Sequence, residues 1–99
     1  MMRLMAFDMN GDLSDTIDKA KVFVIVDDSV TPVEVKTTGI YELKMYSNEF
    51  KIGDYVVGSS DNNSKDIIAV ATPLDDTWIH DDIVGRIIGK DDDIAKVLI

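Results

Sequence analysis

Apolar and polar residues alternate along most of the chain after residue 32, and this alternation predicts short β-strands. Between residues 33 and 45, Val33 and Val35 alternate with Glu34 and Lys36, and Tyr41, Leu43 and Met45 alternate with Glu42 and Lys44. A period of two is typical of strands with one face in the core and the other in water. Further short apolar stretches follow in KIGDYVVGSS, DIIAVATP, DDIVGRIIGK and DDDIAKVLI, each bounded by turn-forming residues.

The segment KVFVIVDD, at residues 21–28, is apolar without alternation. Consecutive β-branched and aromatic residues of this kind predict a strand that is well buried. Thr38 and Gly39 indicate a bend between two of the later strands. About seven short strands at this spacing predict an all-β fold, a small β-barrel or sandwich, formed by a single domain over residues 21–99.

Residues 1–20 differ from this pattern and are predicted to form an N-terminal arm or a short helix. They hold four of the five methionines, and Leu13, Ile17 and Ala20 have the spacing of a short amphipathic helical turn. Methionine suits adaptable interfaces, and tryptophan is enriched at binding hot spots. The residues proposed to contact a neighbouring subunit are therefore Met1, Met2, Leu4, Met5, Phe7, Met9 and Trp78. Trp78 fits a core or loop-packing role equally well.

Length and charge narrow the function classes. A chain of 99 residues forms one small domain, and the absence of cysteine removes disulfides and thiolate chemistry. The net charge of −9 arises from 19 acidic and 10 scattered basic residues. Such a chain repels nucleic acid and anionic membranes. No apolar run approaches the roughly 20 residues of a membrane span, so we expect a soluble protein made in the cytoplasm.

The stretch DMNGDLSD, at residues 8–15, begins like a calcium-binding loop. Asp8, Asn10 and Asp12 occupy the first three ligand positions of an EF-hand-type loop. The position that needs glycine is Leu13, and the position that needs the bidentate acid is Lys19. We therefore predict a polar, hinge-like link between the arm and the β-domain, and no metal site.

His80 is the other candidate for chemistry, since it lies among four aspartates in TPLDDTWIHDD. A histidine beside carboxylates can act as a base or a metal ligand, but no second histidine is present to complete an ordinary zinc site. The aspartate pairs fall at expected strand ends, where aspartate favours turns. We predict no catalytic residue and no cofactor. A small metal-dependent hydrolase using Asp8, Asp12 or His80 is the remote alternative.

From about residue 33 to the end, the order of segments resembles that of a family of small phage proteins. The resemblance lies in VEVKTTGIYELK, FKIGDYVVGSSDN, AVATP, DIVGRIIGK and IAKVLI. Phage capsid cement or decoration proteins share this order. The resemblance implies a β-barrel-like virion structural protein without catalysis, often trimeric, that binds the major capsid protein or other virion proteins at the capsid surface. A similar order in the terminal domains of some phage tail fibres makes a tail or fibre adaptor module the alternative.

Overall fold

A computed structural model describes residues 2–61, 63–73 and 83–99, which form two antiparallel β-sheets. The four-stranded sheet has the order β2-β1-β3-β4 and contains β1 (Met2–Phe7), β2 (Leu13–Ser14), β3 (Val22–Asp27) and β4 (Glu34–Val35). The five-stranded sheet has the order β5-β9-β8-β6-β7 and contains β5 (Ile40–Lys44), β6 (Tyr55–Ser60), β7 (Ile67–Thr72), β8 (Ile83–Asp91) and β9 (Ile94–Leu98). The predicted all-β fold is confirmed.

The five-stranded sheet curls so that its two edge strands approach each other. Just past β5, the Tyr46 amide donates a hydrogen bond of 2.8 Å to the carbonyl of Ala69 in β7, the strand at the opposite edge. The pairing of β8 shifts register between Val56 and Val57 of β6, and again between Ile87 and Gly89 along β9. Such bulges increase local twist and bend a sheet, which accounts for the barrel-like curvature.

The core lies between the inner faces of the two sheets. Leu4 and Ile25 come from the four-stranded sheet, and the five-stranded sheet and its connections contribute Leu43, Met45, Phe50, Val56, Ala69, Ile87, Ala95 and Val97. At one point the sheets approach so closely that only glycine fits. A Cβ atom on Gly58 of β6 would collide with the ring of Phe23 in β3. Glycine here lets the Phe23 ring pack directly on the backbone of β6.

The predicted N-terminal arm is wrong, because residues 2–7 form a strand inside the fold. All six residues of β1 pair with β3, and β1 lies second in the sheet between β2 and β3. Leu4 belongs to the core cluster, and Ala6 is fully buried. Leu4 and Met5, which the sequence assigns to a docking tip, are instead buried. A strand buried on both faces shows no alternation, and β1 also lacks the β-branched residues that mark β3 as a strand.

The predicted hinge is also wrong, because the segment after β2 is tied to β7. The Ile67 amide donates to the carbonyl of Asp15 at 2.9 Å, and the Ile17 amide donates to the carbonyl of Lys65 at 2.7 Å. The short helix expected in this segment is a single 3-10 turn at Ile17–Lys19. Residues 13–20 therefore join the two sheets rather than link an arm to a domain.

Candidate docking surface

Most of the interface residues that the sequence predicts, among those the structure describes, pack inside the fold. Leu4 and Met5 are buried, and Met2 and Phe7 are half-buried in β1. Met9, 80% exposed at the turn after β1, is the described candidate with a freely accessible side chain. Trp78, Met1 and His80 lie outside the described residues. The structure thus does not gather the described candidates into a docking arm.

The calcium-like stretch is a hairpin turn between β1 and β2. The Asp8 amide donates to the carbonyl of Asp12 at 2.8 Å, and the Asp8 carboxylate accepts hydrogen bonds from the amides of Asn10 (2.8 Å) and Asp12 (3.0 Å). Gly11 has a φ of 81°, a conformation that glycine adopts without strain. Aspartate commonly closes turns in this way. The carboxylate in the first ligand position therefore holds the turn, and no group of three or more potential ligands occurs among the described residues.

A continuous row of side chains, three exposed and one half-buried, crosses the outer face of the five-stranded sheet. Strand register places Ile40 of β5 opposite Leu98 of β9, Leu98 opposite Arg86 of β8, and Arg86 opposite Tyr55 of β6. Directly opposed residues lie on the same face of a sheet, so the four side chains are lateral neighbours. Ile40 is 55% exposed and Leu98 is 46% exposed. We call these four residues the outer row.

The side chains of the outer row point outward because residues of opposite parity in the same strands fill the core. Leu43, Val97, Ile87 and Val56 are all almost fully buried. Each differs in parity from the outer-row residue of its own strand, so the pleat turns the two to opposite faces. The aliphatic pair in this row is therefore fixed in its exposed position by the register that buries the core.

Arg86 is held in place by two contacts. Its guanidinium carbon lies 5.7 Å from the centroid of the Tyr55 ring, and its Nε donates to the carbonyl of Gly53 at 3.3 Å. The Gly53 amide in turn donates to the carbonyl of Ile87 at 2.8 Å, which ties this turn to β8. A guanidinium placed over an aromatic ring loses little further freedom on binding and keeps terminal N–H groups for a partner.

The charge of this face differs from that of the whole chain. Its charged side chains are Glu42, Lys44, Arg86, Asp91 and Lys96, by strand register. Cations and carboxylates nearly cancel here, whereas the chain carries a net charge of −9. Another protein surface meets less electrostatic repulsion on a nearly neutral face than elsewhere on an acidic protein.

The sequence contains a signal for the aliphatic pair in this row. In β5, Ile40 has the parity of Glu42 and Lys44, and in β9, Leu98 has the parity of Lys96. A large apolar residue at a position whose neighbours of equal parity are charged breaks the alternation. Tyr55 and Arg86 carry no comparable signal, because their proximity depends on the pairing of β6 with β8.

Comparison with protein-family models, with curated proteins and with solved structures gave no match to this chain. Among the described residues there is no helix with the length and apolar character needed to cross a membrane. The geometry of the outer row and the order of segments in the β region are therefore the two observations on which a function can be argued.

Proposed function

We propose that the protein is a phage virion structural protein that decorates and stabilises the assembled head. It docks through the outer row onto the major capsid protein or another virion protein. The observation that carries this proposal is the outer row, in which Ile40, Leu98 and Arg86 are exposed beside the half-buried Tyr55. The segment order over residues 33–99, which resembles that of capsid decoration proteins, supports the same role.

The composition of the outer row suits protein contact. Tyrosine and arginine are enriched at interfaces, and hot spots cluster where side chains become fully desolvated. Complete burial of a leucine or isoleucine side chain contributes about 1.5–3 kcal/mol. Ile40 and Leu98 lie side by side, so one partner surface covers both.

A modest contact is sufficient for a protein that binds a symmetric shell. If copies also contact one another, as in the homotrimer or other homo-oligomer that the resemblance implies, each copy raises the effective concentration of the next. The role requires no cofactor and no catalytic group. It places the mature protein on the capsid surface after synthesis in the host cytoplasm.

The test is co-sedimentation of purified protein with heads of the encoding phage that lack it. Leu98→Glu replaces an aliphatic contact in the centre of the docking row with a carboxylate beside Arg86. We expect it to reduce head binding at least about tenfold, since binding loses the apolar burial of Leu98 and must also desolvate the new carboxylate. The matched control is Val22→Glu, an equivalent change on the other sheet at a residue that is 55% exposed. We expect the control to bind heads like the unchanged protein.

Three results would contradict the proposal: no binding of the unchanged protein to heads, equal binding of both variants, or loss of binding in the control alone. Binding to isolated tails rather than heads would contradict the capsid role and favour the tail or fibre module. Both variants must show the far-ultraviolet circular dichroism and melting temperature of the unchanged protein, so that an altered fold does not imitate a lost contact.

A further inference from the structure

One edge of β5 carries backbone groups that no described residue pairs. The Gly39 amide donates to the carbonyl of Ile99 at 3.2 Å, and the Ile99 amide returns a bond of 2.9 Å to Gly39, so residue 39 faces β9. Because hydrogen bonding in an antiparallel pair alternates along the strand, the even-numbered residues face the other way. The amides and carbonyls of Ile40, Glu42 and Lys44 therefore point away from β9.

Neighbouring bonds confirm this parity. The Met45 amide donates to the carbonyl of Asp93 beside β9, whereas the Tyr46 amide donates to Ala69 on the opposite side. Within the described part of the chain, β5 has β9 as its single strand partner. We call the backbone groups of Ile40, Glu42 and Lys44 the free edge.

The other three edge strands are less able to pair with a further strand. Strands β2 and β4 are each two residues long. On the outer edge of β7, the Ile67 amide already donates to the carbonyl of Asp15, and the Ala69 carbonyl already accepts from the Tyr46 amide. Of the four strands at the ends of the two sheet orders, β5 is thus the one with both the length and the unpaired groups to accept a further strand.

Space for a strand lies along the free edge. An open groove of about 430 Å³ runs beside β5 and is lined by Met2, Asp27, Ser29, Ile40, Tyr41, Glu42, Lys44 and Ile94. Its second wall is the end of the four-stranded sheet, where Met2 of β1 pairs with Asp27 of β3. The groove therefore has a backbone hydrogen-bonding edge on one side and a side-chain wall on the other, the arrangement in which extended peptides are bound by strand addition.

We propose that the free edge of β5 binds an extended, basic segment of a partner protein as an added β-strand. The carboxylates of Asp27 and Glu42 outnumber the single ammonium of Lys44 in the groove. A second copy of this chain would bring another net charge of −9, and strands that carry charges on their edges resist self-pairing. A basic partner segment meets attraction instead. This inference does not depend on the virion role.

The probe is the acetylated and amidated peptide KVTVKVT, which alternates β-branched residues with lysine and threonine. Amide hydrogen exchange followed by NMR reports each backbone group separately. In the free protein we expect fast exchange at Ile40, Glu42 and Lys44 and protection at Tyr41 and Leu43, which face β9. Saturating peptide should slow exchange at the three free-edge amides at least about tenfold, as expected for newly paired groups.

Two matched peptides test whether main-chain pairing causes the protection. One carries N-methyl groups on its valines, and the other carries them on the central threonine and lysine, so each blocks one edge of the extended peptide. Pairing through a single edge predicts that just one of the two peptides still protects the free-edge amides. Equal binding of both would overturn strand addition. The acidic peptide EVTVEVT is the charge control and should bind at least about tenfold more weakly.

Glu42→Pro tests the free edge from the protein side. The Glu42 amide makes no bond to β9, so proline there removes a donor from the groove and none from the ladder, a position that edge strands tolerate. We expect a folded variant that gives no protection with KVTVKVT. If the variant does not fold, the methylated peptides still decide the matter. Absence of protection at any peptide concentration overturns the proposal, as does protection that appears on raising the protein concentration alone, since a second copy would then be the occupant.

Discussion

The two sheets use their apolar residues in different ways. In the four-stranded sheet, Ile25 and Val26 are adjacent in β3, point to opposite faces, and are both fully buried. In the five-stranded sheet, Leu43 of β5 is buried while Glu42 and Lys44 beside it are exposed. One sheet is apolar on both faces and the other is apolar mainly on one. Continuous burial removes the alternation from the first sheet, so a strand there is recognised only where β-branched residues dominate, as in β3, whereas alternation marks the strands of the second sheet.

The sheets also join through two contacts of different kinds. The ring of Phe23 packs on Gly58, so the contact is apolar and partly buried. The segment after β2 meets β7 through backbone bonds and through an exposed ion pair in which Lys65 Nζ lies 3.2 Å from Asp18 Oδ2. Because burial strengthens an apolar contact and exposure weakens an ion pair, the Phe23–Gly58 contact should contribute more to stability than the ion pair between Lys65 and Asp18.

Deletion of residues 1–7 should have the largest effect, because it removes β1 from the interior of the four-stranded sheet. Loss of one large core side chain costs about 2–5 kcal/mol, and a small domain has a total stability of about 5–15 kcal/mol. The deletion removes Leu4, Met5 and Ala6 and takes away the strand that pairs with β3 along its whole length. We expect an unfolded chain, measured as the loss of dispersion in a proton–nitrogen NMR spectrum.

Met9→Ala is the control for this deletion, because the Met9 side chain is exposed next to the deleted strand. It should leave the spectrum dispersed and the melting temperature nearly unchanged. A folded deletion protein with native shifts for the five-stranded sheet would show that this sheet is an independent unit, and the contrast between the sheets would then become a domain boundary.

The five-stranded sheet was largely predictable from local pattern. Alternation around Leu43 and the turn residues between strands indicate these elements without knowledge of their partners. The curl of the sheet was not predictable, since it depends on the bond from Tyr46 to Ala69 and on bulges that no short segment specifies. The proximity of Arg86 to Tyr55 in the outer row was not predictable either, because it depends on the pairing of β6 with β8.

The four-stranded sheet was only partly predictable. The apolar run around Ile25 predicts a buried strand, which the structure contains, whereas the composition of residues 1–20 predicts an arm where the structure has β1. Met2 and Met5 have no strong preference for strands, and methionine is common at adaptable surfaces, so composition favoured the wrong alternative. The pairing of β1 with β3 is what makes β1 a strand. The turn at Asp8 resembled a metal loop because the same side-chain oxygen can accept an amide or hold a cation.

Gly58→Ala should have an intermediate effect by forcing the sheets apart where Phe23 packs. The added Cβ overlaps the ring, and overpacking of a core typically costs about 1–3 kcal/mol. Chemical denaturation measures the loss. The double variant Gly58→Ala with Phe23→Leu should lose less than the sum of the two single variants, because the smaller side chain yields to the new methyl group. Additive losses would contradict direct contact between these residues.

Lys65→Met should have the smallest effect, because the ion pair that it removes is exposed. The hydrogen bond from the Lys65 ammonium lowers the pKa of Asp18 below its usual range in the folded protein. A lowered pKa stabilises the fold above the pKa of the unfolded chain, and this contribution is lost as the pH falls through the folded pKa. The free energy of unfolding of the variant should therefore be slightly lower than that of the unchanged protein near neutral pH and equal to it in strong acid.

Carbon-detected NMR titration should show the pKa of Asp18 rising towards its usual range in Lys65→Met. The same titration with Lys21→Met, a change at an exposed lysine for which the structure gives no ion pair among the described residues, should leave it unchanged. If the pKa of Asp18 did not move in Lys65→Met, the polar joint would consist of the backbone bonds alone, and the two sheets would be held together almost entirely by their shared core.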